Sequence, residues 1–263
     1  MRINSRQSTI FKFYQLEDFM RNYFEKTYLD GFDSYTKKLT LCLEKEQKKF
    51  LVTANPETFM IAEKNSRFKQ VLDDPRVEIV PDGIGVVKAG NLLGYPIKER
   101  VTGVEICQHL LKQAELMKKS IYLFGAKPEV IEALIKKISQ DYPNIRITGY
   151  KDGYVSNKEE VFDEIAAEQP DIVLVALGIP QQEILIYKNY ERFAKGIFVG
   201  VGGSFDVLSG MKKRAPEFFV KCNLEWLYRI VKEPKRMKRF FVSNIKFIIE
   251  VLKLAKKGKK NEN

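Results

Sequence analysis

Between residues 50 and 210 the chain alternates short apolar runs with amphipathic stretches. The runs are FLVTAN (50–55), VEIVPDG (77–83), SIYLFGA (120–126), IRITGY (145–150), DIVLVALG (171–178) and GIFVGVGG (196–203). Runs that are apolar at nearly every position predict strands buried on both faces, and their Gly, Asn or Asp endings put turns at the carboxyl ends. Between them the period becomes helical. Val104, Cys107, Leu110 and Leu111 share a face in 104–117, and Val161 and Ile165 do so in 158–167. In 128–140, Pro128 occupies the first turn and Val130, Ile131, Leu134 and Ile138 form the face. Strand alternating with helix predicts an α/β fold, a Rossmann-like and mostly parallel sheet with helices on both faces. Such sheets hold ligands beyond the carboxyl ends of their strands.

After Gly210 the texture changes. Residues 216–232 read as a helix, and Pro234 can open another. Over 235–257, Phe241, Ile245, Ile248, Ile249 and Leu252 fall on one face, and Arg239, Ser243, Lys246, Glu250, Lys253 and Lys257 on the other. This is the pattern of an amphipathic helix with a basic edge, suited to a membrane interface or to packing on the core. The expected organisation is an N-terminal segment (1–49), helical and packed on the core, a catalytic core (50–210), and a helical, membrane-engaging C-terminal appendage (211–263).

Charge sharpens this division. The 263 residues carry a net charge of +11, yet 16 Lys and Arg against five Glu lie in 211–263. That leaves 29 of the 45 basic and 29 of the 34 acidic residues before position 211, a neutral body with a cationic tail. Such a tail meets a polyanion, either nucleic acid or an anionic membrane surface. The largely aliphatic face of 240–248 favours lipid over a base-stacking platform, and a nucleic-acid binding protein is the alternative. No run approaches the ~20 apolar residues of a spanning helix, and the N-terminus lacks a signal-peptide core, so the expected location is the cytoplasm, peripheral on the inner face of the plasma membrane. Cys42, Cys107 and Cys222 are odd in number and lack metal-ligand spacing, which predicts packed, reduced thiols.

Candidate chemistry collects at strand ends. Thr53 and Asn55 stand where a strand gives way to a helix, able to cap it or to face a ligand. Asp82 lies in an Asp-Gly turn; with Arg100 downstream it has the makings of a general base acting on a sugar hydroxyl. GIFVGVGGSFDVLSG is a strand, a glycine turn and a short helix, so that Gly200, Gly202 and Gly203 let backbone N–H groups approach a phosphate. A dinucleotide fingerprint would need glycine at 205, where Phe205 stands, which disfavours an oxidoreductase. In ALGIPQQE, helix-start polarity accounts for Glu183, while Gln182 can turn toward the same cleft. His109 is the only histidine and sits within a helical pattern, which argues against His-dependent nucleophilic catalysis and against a zinc site. No Asp-x-Asp pair occurs to hold a diphosphate through a metal, so arginines and backbone N–H groups are the expected neutralisers. Arg229, Arg236 and Arg239 form either a solvated basic face or an anion clamp.

TANPE, PDGIGVV, ERVTGVE, GIPQQE, GVGGSFDVLSG, RAPEFF and LEWLYRIVKEPKRMKR, in this order over about residues 50 to 240, resemble the motifs of the WecG/TagA/CpsF glycosyltransferases. The resemblance implies an inverting transferase that moves N-acetylmannosamine, or a related sugar, from a UDP donor to N-acetylglucosaminyl-diphospho-undecaprenol in wall teichoic acid or other surface-glycan synthesis. It implies no cofactor and no essential metal, a polyprenyl-diphosphate-linked acceptor and a membrane surface as partners, no nucleic acid, and leaves a homo-oligomer open. It places the catalytic base on Asp82, other active-site roles on Thr53, Asn55, Arg100 and Gln182, and donor binding on Gly200, Gly202, Gly203, Phe205 and Asp206. The appendage arginines that face the acceptor diphosphate would be Arg214, Arg229, Arg236 and Arg239.

Overall fold

The computed structural model describes residues 18–212, 215–216, 218–219 and 234–261, with side chains over 242–257 in the last segment. Its centre is a six-stranded sheet of β1 (Lys48–Ala54), β2 (Val77–Pro81), β3 (Ser120–Gly125), β4 (Arg146–Lys151), β5 (Ile172–Ala176) and β6 (Gly196–Gly200). The strand order is β2-β1-β6-β5-β3-β4 and every pairing is parallel. The six apolar runs are the six strands, each within a few residues of its expected limits.

The helices are α1 over 18–26, α2 (Phe32–Glu44), α3 (Pro56–Ala62), α4 (Ser66–Asp73), α5 (Ile84–Leu92) and α6 (Gly103–Met117). They continue with α7 (Pro128–Asp141), α8 (Lys158–Glu168), α9 (Gln181–Asn189), α10 (Ser204–Leu208) and α11 (Pro234–Asn261). Strand side chains alternate between two cores, as the two-residue period requires. Phe50, Val52, Ile79, Tyr122, Val173 and Phe198 face one core with α1, α3, α4, α5, α8, α9 and α11. Leu51, Val80, Ile121, Leu174 and Val199 face the other with α2, α6, α7 and α10. The N-terminal segment therefore reaches both layers, Phe19 and Phe24 of α1 on one side and Tyr35 and Leu39 of α2 on the other.

That division opens the cleft. β1 and β6 are neighbours, yet α3 leaves β1 toward one layer and α10 leaves β6 toward the other. Chains diverging to opposite faces from adjacent parallel strands leave a crevice at their carboxyl ends, where open α/β sheets bind ligands.

α11 corrects the two-sided expectation. Phe247, Val251 and Leu254 are buried against the α3 layer, Phe247 stacking on Phe59 at 5.7 Å and approaching Phe24 at 6.5 Å. Lys246, expected on the solvent face, pairs with Glu63 at the end of α3, and Glu250 is buried. Val242, Ile245, Ile248, Ile249 and Leu252 remain about half exposed. A helix carries as many stripes as its neighbours and solvent can use, and this one has an apolar stripe on the core and a second on the outside. Of the expected helix at 216–232 only residues 216, 218 and 219 are described; the Phe241 side chain, Cys222 and residues 1–17 lie outside the described residues, and Cys42 and Cys107 are buried free thiols.

The amino ends of the central strands are held by charge. Asp171, just before β5, accepts from Ser120 N (2.8 Å) and Ser120 Oγ (2.7 Å) at the start of β3, and from Lys195 Nζ (2.8 Å) before β6. Asp171→Ala strands the Ser120 N–H inside and is expected to lower unfolding free energy by about 2–3 kcal/mol in urea titration. A loss under about 0.5 kcal/mol, within the range of ordinary surface substitutions, would show that the network does not hold the strand ends.

Candidate active site

Backbone hydrogen bonds assemble the cleft from segments far apart in sequence. Thr53 pairs in register with Val80, and the next step places Ala54 beside Pro81. Asp82 N then donates to Ala54 O at 2.9 Å, which holds the acidic residue against the end of β1. Val101 N donates to Pro81 O at 2.7 Å, so the chain brings Arg100 back to the same strand end. The Asp82 carboxylate also lies near α6. Burial first, and that carboxylate second, push the Cys107 thiol well above its ordinary value.

Asn55 is a cap in the structure. Its Oδ1 accepts from Glu57 N (2.8 Å) and Thr58 N (3.2 Å), while Thr58 Oγ1 accepts from Asn55 N (3.0 Å), a reciprocal capping box that fixes the start of α3. The Asp82–Gly83 turn packs on it so closely that a Cβ at Gly83 would lie 3.3 Å from Asn55 Cβ. Thr102 caps α6 in the same way with Glu105, its Oγ1 accepting from Glu105 N at 3.3 Å and donating to Glu105 Oε2 at 2.6 Å. Gly103 then sits between Thr53 and Ser204. A Cβ there would lie 3.5 Å from Thr53 Oγ1 and 3.6 Å from Ser204 Oγ. The ends of β1 and β6 and the start of α6 thus meet at Thr53, Ser204 and Gly103, two hydroxyls and a glycine. Ser204 stands inside the glycine-turn motif, where the sequence did not single it out.

The glycine turn divides its labour. Gly202 has φ +46°, the left-handed region that glycine occupies without strain, and Gly203 opens α10 from an exposed position. Phe205 buries its ring fully in the core, so its side chain anchors α10 and any ligand contact from this residue comes from its backbone. Asp206 pairs with Lys212 at 3.2 Å.

Gln182 differs from expectation. It is 4% exposed, and instead of reaching into the cleft it ties two loops together: Oε1 accepts from Gly178 N (3.0 Å) after β5 and from Gly202 N (3.1 Å) after β6. Its Nε2 donates to Glu183 Oε1 at 2.7 Å. Glu183 is 2% exposed, its Oε2 has no hydrogen-bond partner among the described residues, and burial raises its pKa to about 7 despite the opposing bond from Gln182. β6 runs against this pair. A Cβ at Gly200 would lie 2.6 Å from Gln182 Nε2 and 2.7 Å from Glu183 Oε1, which only glycine avoids.

His109 lies away from this chemistry, between α6 and α2, with Nε2 2.9 Å from Thr40 Oγ1. Among the described residues no three His, Cys, Asp or Glu side chains cluster as a metal site needs, and no helix is long and apolar enough to cross a membrane. Arg214 and Arg229 lie outside the described residues, as do the side chains of Arg236 and Arg239.

Residues 26–261 match the model of the glycosyl transferase WecG/TagA/CpsF family. A protein of Bacillus spizizenii is 44% identical over 214 residues, 81% of this chain and 82% of its own length. One from Bacillus subtilis is 44% identical over 207 residues, 79% and 80% of the two chains. A Staphylococcus aureus protein is 37% identical over 212 residues, 80% and 82%. All three bear the name N-acetylglucosaminyldiphosphoundecaprenol N-acetyl-beta-D-mannosaminyltransferase.

Glu183 makes the stability of this cleft pH-dependent in a defined direction. Its folded-state pKa is raised to about 7, above the ordinary glutamate value, so the native protein binds the extra proton between those limits. The stability that comes from keeping it neutral is complete below the unfolded pKa and is lost as pH rises through 7. Glu183→Gln removes the titration and is expected to gain stability relative to wild type on going from pH 5 to pH 8. Parallel stability–pH curves for the two proteins would contradict a buried, proton-holding carboxyl.

Proposed function

The chain belongs to the WecG/TagA/CpsF family of glycosyl transferases, and from that premise we propose that it transfers N-acetylmannosamine from a UDP donor to N-acetylglucosaminyl-diphospho-undecaprenol. The observation that carries this reading is the convergence of Asp82, Thr53, Asn55 and Arg100 at the carboxyl ends of β1 and β2, beside the Gly200–Ser204 turn. In the proposed step the acceptor 4-hydroxyl oxygen attacks the donor anomeric carbon from the face opposite the diphosphate. Asp82 takes the hydroxyl proton as the new glycosidic bond forms. The bond from the anomeric carbon to the diphosphate oxygen breaks, and UDP leaves with its electron pair. Because Gln182 takes the Gly202 N–H, the turn's share in stabilising the charge that develops there is proposed to come from Gly203 N, with Arg100, brought back toward the Asp82 strand end, contributing. Arg214, Arg229, Arg236 and Arg239 are proposed to complete the neutralisation from the appendage, facing the acceptor diphosphate.

The acceptor is a lipid, and the outer stripe of α11 suits its surroundings. Five half-exposed aliphatic residues with Lys253 and Lys256 alongside form a face that lies in a headgroup region while Phe247, Val251 and Leu254 stay on the core. We place the protein at the cytoplasmic surface of the plasma membrane, with 50–210 as the catalytic body and 211–263 as the membrane-engaging part. The resulting disaccharide lipid suits the linkage unit of wall teichoic acid or a related surface glycan.

Two experiments test this. Incubation with UDP-N-acetylmannosamine and a lipid-diphosphate N-acetylglucosamine analogue should give a disaccharide by mass spectrometry, and Asp82→Asn should lower kcat at least ~10²-fold without loss of cooperative unfolding. Near-normal turnover by that variant would remove Asp82 as the base. Replacing Ile245, Ile249 and Leu252 together by Ser should weaken binding to anionic vesicles at least ~10-fold, because three aliphatic side chains no longer leave water. Unchanged vesicle sedimentation would remove α11 as the docking element.

A further inference from the structure

We propose that Glu183 is a positioning residue for the transfer reaction: by accepting the Gln182 amide it fixes which end of that amide meets the backbone, and so locks the loop after β5 to the glycine turn after β6. The inference rests on reading this cleft as the transferase active site.

The Gln182 side chain joins the loop after β5 to the glycine turn after β6 through a single oxygen, which accepts from Gly178 N and Gly202 N. A primary amide has nearly the same shape in either orientation, so packing alone does not decide which end faces the two N–H groups. The wrong orientation sets an NH2 donor against two backbone donors and leaves all of them unpaired in a buried place. A neighbour that accepts from one end decides the matter, and Glu183 Oε1 does so at 2.7 Å.

A simpler role does not account for the geometry. A glutamate in the first turn of a helix stabilises it through the helix dipole, and a solvated side chain suffices for that. Glu183 is instead withdrawn from water with Oε2 left unpaired among the described residues, an unfavourable arrangement that must be offset by what the other oxygen does. The missing side chain at Gly200 gives the same indication from the other direction. β6 approaches until a Cβ would touch both Gln182 Nε2 and Glu183 Oε1, so the strand that delivers the glycine turn is packed on this pair. Gly202 and Ser204 follow within four residues, and a small displacement there misaligns whatever they hold.

The test uses the full chain and two substitutions. Glu183→Gln keeps a carbonyl acceptor toward Gln182; Glu183→Met keeps the length and removes it. Glu183→Met is expected to lower kcat by about 10- to 100-fold while the KM for each substrate stays within about threefold. It should also speed hydrogen exchange at the Gly178 and Gly202 amides, followed by NMR. Glu183→Gln should restore both the rate and the protection. If Glu183→Met does not unfold cooperatively, Glu183→Ala takes its place. Exchange at Gly178 and Gly202 as slow as in wild type, or a Glu183→Gln variant as impaired as Glu183→Met, would overturn the proposal. Loss of amide protection in a chain that transfers no sugar even as wild type would instead leave the clamp standing and remove the transferase reading.

Discussion

The parallel pairing of β1 with β6, with the chain leaving the two strands toward opposite layers, is the constraint from which the site follows. α3 and α10 diverge to opposite layers, and the start of α6 meets the adjoining strand ends between them. Each segment that borders the crevice is then fixed by its own backbone geometry: a capping box at Asn55, a turn hydrogen-bonded to Ala54 at Asp82, a second capping box at Thr102, a left-handed glycine at 202. The polar groups of the cleft are held from below by elements whose cores are apolar and closely packed, the arrangement that lets a site be both polar and rigid.

The two ends of the sheet are built differently for a physical reason. At the amino ends, Asp171, Ser120 and Lys195 satisfy one another, and Glu46 reaches Lys119 at 3.1 Å and Lys195 at 3.2 Å. Burial pushes the Asp171 carboxyl up, but Lys195 and the Ser120 donors outweigh it and hold the group below its ordinary range. Charges neutralised within the protein are poor partners for a ligand. At the carboxyl ends the polar groups are turn amides and small hydroxyls rather than paired charges, and Gln182 holds two of those amides, Gly178 N and Gly202 N, in place.

Much of this was legible in the chain. The inner strands were visible because a strand buried on both faces is apolar at successive positions; β4, an edge strand with no buried position, was visible only as the IRITGY run between helical stretches. The candidate cluster at the strand ends was visible because each apolar run stops at a turn residue. Three features were not. Gln182 sits one residue into a helix, and no local pattern says whether such a side chain turns outward or back toward a neighbouring loop; that depends on Gly178 and Gly202, which fold beside it from different strands. Ser204 is a small polar residue in a glycine turn, and its closeness to Thr53 and Gly103 arises only when β1, β6 and α6 assemble. α11 carries Phe247, Val251 and Leu254 as one helical stripe and Ile245, Ile249 and Leu252 as another, so periodicity alone could not choose the inward one. Phe24 and Phe59, distant in sequence, supply the complementary surface that makes the choice.

That choice connects the membrane side of the proposed function to its chemistry. α11 rests on α3 and α5, and these helices begin directly after Asn55 and after the Asp82–Gly83 turn. The docked stripe is therefore one helix length or less from the residues proposed to handle the acceptor hydroxyl, while the glycine turn lies across the crevice on the α10 side. A water-soluble nucleotide donor and a lipid-bound acceptor need access from different directions. With the glycine turn on one wall, and on the other a helix whose outward face is aliphatic and flanked by lysine, the crevice suits the two approaches that the proposed reaction requires. The same packing limits the freedom of α11: with Phe247 held between Phe24 and Phe59, the exposed stripe keeps a fixed angle to the sheet, and that angle orients the cleft relative to whatever surface the stripe meets.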